Sequence, residues 1–409
     1  MTATGLGHRP DFGPLGKSAA RAVLHGSRRS IHWPLVIATL AVVTFGVLMV
    51  FSAGRGPTGQ SGFGVRQALF AVVGFGAMTT VAAIDYRRLL RWWPVVLGGA
   101  TVALIAVLTP LGTEVRGTQG WFRVGPLAAQ PAEFAKLALI CGLAVVLHLN
   151  LPSGEGAGRP GRPVASGPVT AFGLSVLVLG VAALLVLAEG ESGTVLVYCA
   201  IALGMLATAG IPVRYLLLLV ASGLGAIGLA LTANVLAPYQ VDRFEAFLDP
   251  TLDPLGVGYN QQQAITAIGS GGLTGAGFFD GPQTQLGYLP DQHTDFIFAA
   301  IAEELGFVGA ATLLLLHTAV LALIFSVGAG CRDRFGRLLC AGVFAMIAFQ
   351  VIQNVAMNLR LLPITGIPLP FVSYGGSSMV TLLVAIGVVL SVAANQSTPR
   401  SGRVARAGA

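Results

Sequence analysis

Ten apolar runs of roughly 18–25 residues follow one another along this chain, each long enough to cross the hydrocarbon core of a bilayer as a helix. They fall at about 33–53, 67–84, 92–110, 132–150, 168–188, 193–210, 213–235, 296–327, 338–356 and 373–393. In lipid every backbone N–H and C=O must be satisfied internally, so runs of this length form helices or nothing. Composition agrees: with 24 Lys/Arg and 17 Asp/Glu, 10% of the 409 residues are charged, against roughly 25% in water-soluble domains. That is too few to cover a water-facing surface of this size. The expected fold is an all-α polytopic membrane protein of ten transmembrane helices.

The basic residues orient it. With the N-terminus in the cytoplasm, 17 of the 24 Lys/Arg fall on cytoplasmic segments, as the positive-inside bias requires. Arg55, Arg66, Arg116, Arg123, Arg243 and Arg360 are left outside, and Lys136 sits at a membrane edge. Both termini are then cytoplasmic. Residues 1–32, with Arg9, Lys17, Arg21, Arg28 and Arg29 and no apolar stretch, read as a basic tail and not as a signal peptide. A ten-span domain follows over 33–395, with a Gly/Pro-rich cytoplasmic loop at 152–167 and a second basic tail over 396–409. Cations scattered along membrane edges do not make a nucleic-acid surface. Cys141, Cys199, Cys331 and Cys340 form no close pair, so no disulfide or metal pair is expected.

Acidic residues concentrate elsewhere. Seven of the 17, Asp242, Glu245, Asp249, Asp253, Asp280, Asp291 and Asp295, lie between the seventh and eighth runs, in a loop of about 236–295 that the topology puts outside. A loop this long is a functional candidate. Its glycines, Gly269-Ser-Gly-Gly-Leu-Thr-Gly-Ala-Gly277, lack the Lys-Ser/Thr ending of a phosphate-binding loop and are expected to serve packing and turns.

Three stretches are too specific for generic spans: Arg116-Gly-Thr-Gln-Gly-Trp-Phe122 with Gln130-Pro-Ala-Glu-Phe-Ala-Lys136; Asp253-Pro-Leu-Gly-Val-Gly-Tyr-Asn260 with Leu289-Pro-Asp-Gln-His-Thr-Asp-Phe-Ile-Phe298 and Glu303-Glu-Leu-Gly306; and Leu362-Pro-Ile-Thr-Gly-Ile-Pro-Leu-Pro-Phe-Val-Ser-Tyr-Gly-Gly-Ser-Ser378. Over 33–395 the chain resembles the SEDS family (shape, elongation, division, sporulation) of peptidoglycan glycosyltransferases. Gln283-Thr-Gln-Leu286 and Pro368-Leu-Pro-Phe371 look more like the elongation member RodA than the division member FtsW. The resemblance implies a bacterial cytoplasmic-membrane enzyme that polymerises lipid II on the outer face, with inversion at the donor sugar and undecaprenyl pyrophosphate as leaving group. It also implies a class B penicillin-binding protein as partner, supplying the transpeptidase.

Within the family the catalytic carboxylate is the Asp of His-Thr-Asp-Phe, which here is Asp295. An alcohol nucleophile needs a base, and partial desolvation at a membrane edge strengthens a carboxylate for that work. Read without the family, Asp295 is equally a charge at the start of the eighth span. His293 either touches substrate or orients the loop. For the pyrophosphate, cations are needed; Arg243 and Arg360 are the first candidates, Arg116 and Arg123 the next, each with a solvated loop charge as the alternative. A divalent cation, Mg2+ or Mn2+, held by Asp295 or a neighbouring carboxylate would do the same work, although no spacing marks a site for one. Glu133 and Lys136 are placed by helical spacing on one face, as an internal ion pair or as part of the site. Glu303 and Glu304 read as partners for another span. Ser373 belongs to a Pro- and hydroxyl-rich segment expected to line the site, because irregular backbone at this depth needs a polar neighbour.

The chain departs from the family in two places. Gly120 stands where an Arg is common, and Glu189-Gly-Glu191 replaces a Gln/Glu-Pro-Asp sequence. The rival readings are a flippase of lipid-linked precursors, a silent scaffold for a cell-wall synthase, or a division- or sporulation-specific paralogue. A transporter would place its polar groups at mid-membrane, whereas these charges lie at the outer edge.

Overall fold

The computed structural model describes residues 31–55, 62–115, 118–125, 127–151, 167–233, 241, 243, 247 and 256–396. Both basic tails except their innermost residues, most of the 152–167 loop, Arg116, and the acids Asp242, Glu245, Asp249 and Asp253 lie outside the described residues.

Every expected span falls on a helix. The first seven are α1 (Trp33–Ala53), α2 (Gly62–Ala83), α3 (Leu89–Val107), α4 (Pro131–Asn150), α5 (Pro168–Ala188), α6 (Ser192–Thr208) and α7 (Val213–Thr232). After α8 (Val257–Ser270) and the single turn α9 (Pro282–Gln285), the last three spans are α10 (Ile297–Gly330), α11 (Arg334–Asn358) and α12 (Gly376–Gln396). Among the described residues nine helices are long and apolar enough to cross a membrane, and α6, with 17 residues, is apolar but shorter. The chain is a multi-pass α-helical membrane protein. Proline at the first or second helical position opens α1, α4 and α5, where its missing N–H costs no hydrogen bond.

Burial sorts the helices into an interior and a ring. α4 and α12 run through the middle with 78% of their apolar windows buried, whereas α7 buries none of its own. Exposed side chains such as Leu217, Leu224 and Leu229 on α7, and Val95 and Val102 on α3, suit lipid as solvent. α2 lies along α12, α4 against α3 and α5, and α10 against α1 and α11.

Two elements were not expected. The link between α3 and α4 forms a three-stranded antiparallel sheet, β1 (Thr113–Val115), β2 (Thr118–Val124) and β3 (Leu127–Ala129). The pairing is Thr113 with Trp121 and Arg123 with Ala128. Strands of three residues are too short to show an alternating pattern, so only the fold reveals them. The helix α8 likewise occupies part of the long loop and packs on α10.

The glycine-rich stretch after α8 does pack. α10 is broken at Gly306, which has φ 65° and ψ −163°, a region open essentially to glycine alone. A Cβ there would sit 2.3 Å from the backbone nitrogen of Gly275. The two glutamates just before the break are fully buried and act as partners, as expected. Glu303 accepts from Gln283 N–H (2.6 Å), Thr284 N–H (2.9 Å) and Thr284 Oγ1 (2.6 Å) at the start of α9. Glu304 accepts from Ser52 on α1 (2.6 and 2.7 Å) and from Gln285 (3.1 Å).

Replacing Gly306 by Ala is expected to cost about 3 kcal/mol or more, from the forbidden dihedral together with the clash. A lowered thermal midpoint in detergent checks this; a midpoint equal to wild type would show that the break is not needed.

Candidate active site

Five helix N-termini, those of α2, α4, α6, α10 and α12, meet at one end of the bundle. They surround a cavity of about 700 Å³ together with β2 and the irregular segment between α11 and α12. Its wall includes Arg66 on α2, Arg123 on β2, Glu133 on α4, Glu191 at the entry to α6, Arg243, and Asp291, His293 and Asp295 before α10. Helix N-termini carry partial positive charge and free N–H groups. With three arginines beside them, they make a region suited to a polyanion.

Asp295 is held by its backbone. Its carbonyl accepts from Asn354 and Asn358 of α11, each at 3.1 Å, while its carboxylate lies on the cavity wall, facing Gly366. The cap position of α10 is Phe296, where no side chain makes a capping bond. His293 also lines the cavity; its ring stacks on Phe63 with centroids 4.4 Å apart, and its carbonyl accepts from Tyr374 N–H at 2.8 Å.

The Leu362–Ser378 segment crosses the interior as irregular backbone satisfied by amides projecting from helices. Asn354 donates to Ile367 O at 2.9 Å. Gln353 reaches Thr365 Oγ1 at 3.2 Å. Gln67 donates to Ser373 O at 3.0 Å and accepts from Gly375 N–H at 3.2 Å. The His317 ring contacts Pro370 O at 3.0 Å. Ser373 is not on the cavity wall. Its hydroxyl donates to Thr294 O at 2.6 Å and accepts from Leu369 N–H at 2.8 Å, so it ties this segment to the His-Thr-Asp stretch.

Glu133 and Lys136 form a buried pair at 2.6 Å. Glu133 meets the cavity and Lys136 stands behind it. Of the four arginines expected, Arg123 and Arg243 line the cavity. Arg116 lies outside the described residues. Arg360 is not on the wall; it follows the end of α11 in a left-handed conformation, φ 56°. Arg66, passed over in the sequence, takes a place there.

At the α5–α6 turn, β2 meets two glutamates through the bond from Gln119 N–H to Glu189 O (3.1 Å). Glu191 accepts from Gln130, and from Thr194 at 3.2 Å. Glu189 is 1% exposed, and neither carboxylate oxygen has a hydrogen-bond partner. Burial, reinforced by Glu191, pushes the Glu189 carboxyl up to about 8; burial also raises Glu191. Among the described residues no three His, Cys, Asp or Glu side chains come together as a metal cluster.

Residues 33–398 match the FtsW, RodA and SpoVE family of cell cycle proteins. This chain belongs to that family. Stage V sporulation protein E of Bacillus subtilis is 36% identical over 365 residues, 88% of this chain and 95% of the relative. Peptidoglycan glycosyltransferase MrdB of Escherichia coli is 32% identical over 361 residues, 88% and 92%. A probable peptidoglycan glycosyltransferase FtsW of a Thioalkalivibrio species is 37% identical over 410 residues, 94% and 96%. Among solved structures, a chain of a peptidoglycan synthase complex that coordinates polymerization and crosslinking superposes with TM-score 0.73 at 30% identity, covering 90% of this chain and 99% of that one. The rod shape determining protein RodA of Thermus thermophilus gives 0.65 at 28%, with the same coverage. The family's bundle thus accounts for the helical framework.

Lys136→Met alone leaves the Glu133 carboxylate buried without its cation. The expected loss is about 3–5 kcal/mol, largely recovered in the double variant Glu133→Leu/Lys136→Met. Thermal midpoints of the three proteins measure the coupling, and equal midpoints for the single and double variants would show that the pair does not hold the fold.

Proposed function

We propose that this chain is a peptidoglycan glycosyltransferase that polymerises lipid II at the outer face of the bacterial cytoplasmic membrane. The observation that carries the proposal is the meeting of Asp295 with Arg66, Arg123, Arg243 and five helix N-termini on one cavity, which combines a base with a site for a departing pyrophosphate. Its volume of about 700 Å³ lies within the range of small-molecule sites. The relatives named glycosyltransferases and the positive-inside bias, which puts this end of the bundle outside, support the same reading.

In the proposed step the 4-hydroxyl oxygen of the acceptor's N-acetylglucosamine bonds to C1 of the donor's N-acetylmuramic acid, from the face opposite the leaving group. Asp295 takes the hydroxyl proton as the C1–O bond to undecaprenyl pyrophosphate breaks, and the electron pair goes with that oxygen. Charge grows on the pyrophosphate as it departs, where preorganised arginines and helix N-termini stabilise the transition state more than the ground state. His293, stacked on Phe63, orders the same stretch. Arg360 and Ser373 act in this reading through the backbone they shape, and Lys136 through Glu133.

A class B penicillin-binding protein is the partner this reading calls for, supported by the likeness to a chain of a synthase complex. The motifs Gln283-Thr-Gln-Leu286 and Pro368-Leu-Pro-Phe371 support a role in elongation. Deletion is then expected to round the cells; filaments would assign the chain to division.

Asp295→Asn is expected to lower glycan-strand formation from lipid II by about 10²–10⁴-fold in the purified, folded protein. Wild-type polymerisation by that variant would overturn the mechanism. Movement of lipid II between leaflets without polymerisation by the unmodified protein would replace the enzyme with a flippase.

A further inference from the structure

At the end of the bundle opposite the cavity, two short turns meet. One joins α2 to α3 through the single 3₁₀ turn Tyr86–Arg88, and the other joins α10 to α11. Tyr86 ties them together. It is 3% exposed, its hydroxyl donates to Asp333 Oδ2 at 2.9 Å, and its ring stacks on Phe335 with centroids 6.2 Å apart. The fit is close, since a Cβ on Gly336 would lie 3.1 Å from the Tyr86 ring. Tyr86 N–H also donates to Ser391 Oγ at 3.0 Å, so α12 holds the same joint.

This joint gathers arginines from distant parts of the chain. Arg87 and Arg88 follow Tyr86 directly, and Arg332 and Arg337 flank Asp333. The Arg87 guanidinium lies over the Tyr86 ring, 5.4 Å from its centroid. Arg91 is one helical turn beyond Arg87 and Arg88 and shares their face. All five are exposed. The carboxylates described at this joint are engaged otherwise: Asp85 accepts from Arg87 backbone N–H at 2.9 Å, and Asp333 accepts from Tyr86. Among the described residues no ion pair holds Arg88, Arg91, Arg332 or Arg337. Arg334 differs, because it donates to Leu151 O (3.2 Å) and Ala209 O (3.0 Å) and so closes the ends of α4 and α6. The positive-inside bias explains cations at this end of the bundle. It does not explain five arginines fixed around one buried tyrosine, where they repel one another unless an anion lies between them.

We propose that the notch between the two turns binds the headgroup of a two-phosphate anionic phospholipid, of the cardiolipin class, from the leaflet at this end. A guanidinium matches phosphate oxygens with two parallel hydrogen bonds, and the arginines form two groups, Arg87, Arg88 and Arg91 on one turn and Arg332 and Arg337 on the other. Basic pockets between spans suit such headgroups. The surroundings favour a lipid over a soluble phosphate. Trp92, beside Arg91, is 56% exposed, a side chain suited to headgroup depth, and the exposed Val95 and Val102 continue α3 toward the acyl chains.

The test uses the full chain, delipidated in detergent and titrated with cardiolipin, with bound lipid counted by native mass spectrometry. One saturable site is expected, at least tenfold tighter than for phosphatidylglycerol. Arg88→Gln and Arg337→Gln each weaken it at least tenfold without changing the lipid-free thermal midpoint, and Arg91→Gln replaces either variant whose midpoint falls. Arg214→Gln, which removes an exposed arginine on the outlying α7, leaves the affinity at the wild-type value. Equal weakening by Arg214→Gln overturns the site in favour of a diffuse basic surface, and wild-type affinity in both Arg88→Gln and Arg337→Gln overturns it outright. Equal affinity for phosphatidylglycerol overturns the two-phosphate assignment. Bis(glycerophospho)glycerol, the same headgroup without acyl chains, is expected to displace the lipid only in large excess; displacement at equal concentration would make the ligand a soluble phosphate and overturn the lipid.

Discussion

A stretch of irregular backbone lies inside a helical bundle, and the site depends on how its polar groups are satisfied. Between α11 and α12 the chain runs without regular hydrogen bonding, with many of its side chains buried in the bundle, where an unpaired N–H or C=O is costly. Gln67, Gln353, Asn354 and His317 meet that need from α2, α11 and α10. Amides of α11 also fix the start of α10, because Asn354 and Asn358 both donate to the carbonyl of Asp295. Two loops distant in sequence are thereby locked into one wall, and Ser373 closes the lock on Thr294.

Around that wall, charge is placed by helix direction. Alternate helices of an up-and-down bundle point the same way, so every second N-terminus comes to the same end, and five of them border the cavity. The positive ends of those helices favour an anion. Carboxylates in the same region gain from those ends, but once buried they still need hydrogen-bond partners. Glu303 and Glu304 are used as acceptors for α9 and α1, and Glu133 is tied to Lys136. Among the buried carboxylates described, Glu189 is the one with both oxygens idle.

Part of this was legible in the residues. Length and hydropathy placed ten spans within a few residues of the observed helices, and the 17-residue α6 was among them. The stripe Gln350, Gln353, Asn354 and Asn358 in an otherwise apolar helix was a readable signal that a polar neighbour must exist, yet nothing local says which carbonyls it serves. The sheet over 113–129 left no alternating trace, since two of its strands have three residues. Arg66 looked like any loop cation, because its place on the cavity depends on how α2 is rotated against α12.

What the sequence by itself determined is the solvent and the framework: apolar runs too long and too free of charge for water dictate helices in a bilayer, and the arginine bias orders their ends. Only the tertiary structure decided which few charges share a cavity. Helices apolar all round carry no record of their facing, and the cavity brings together residues from Phe63 to Ser378. That facing is set by close packing between distant helices and by the pairing of buried amides with irregular backbone, neither of which has a local pattern in the chain.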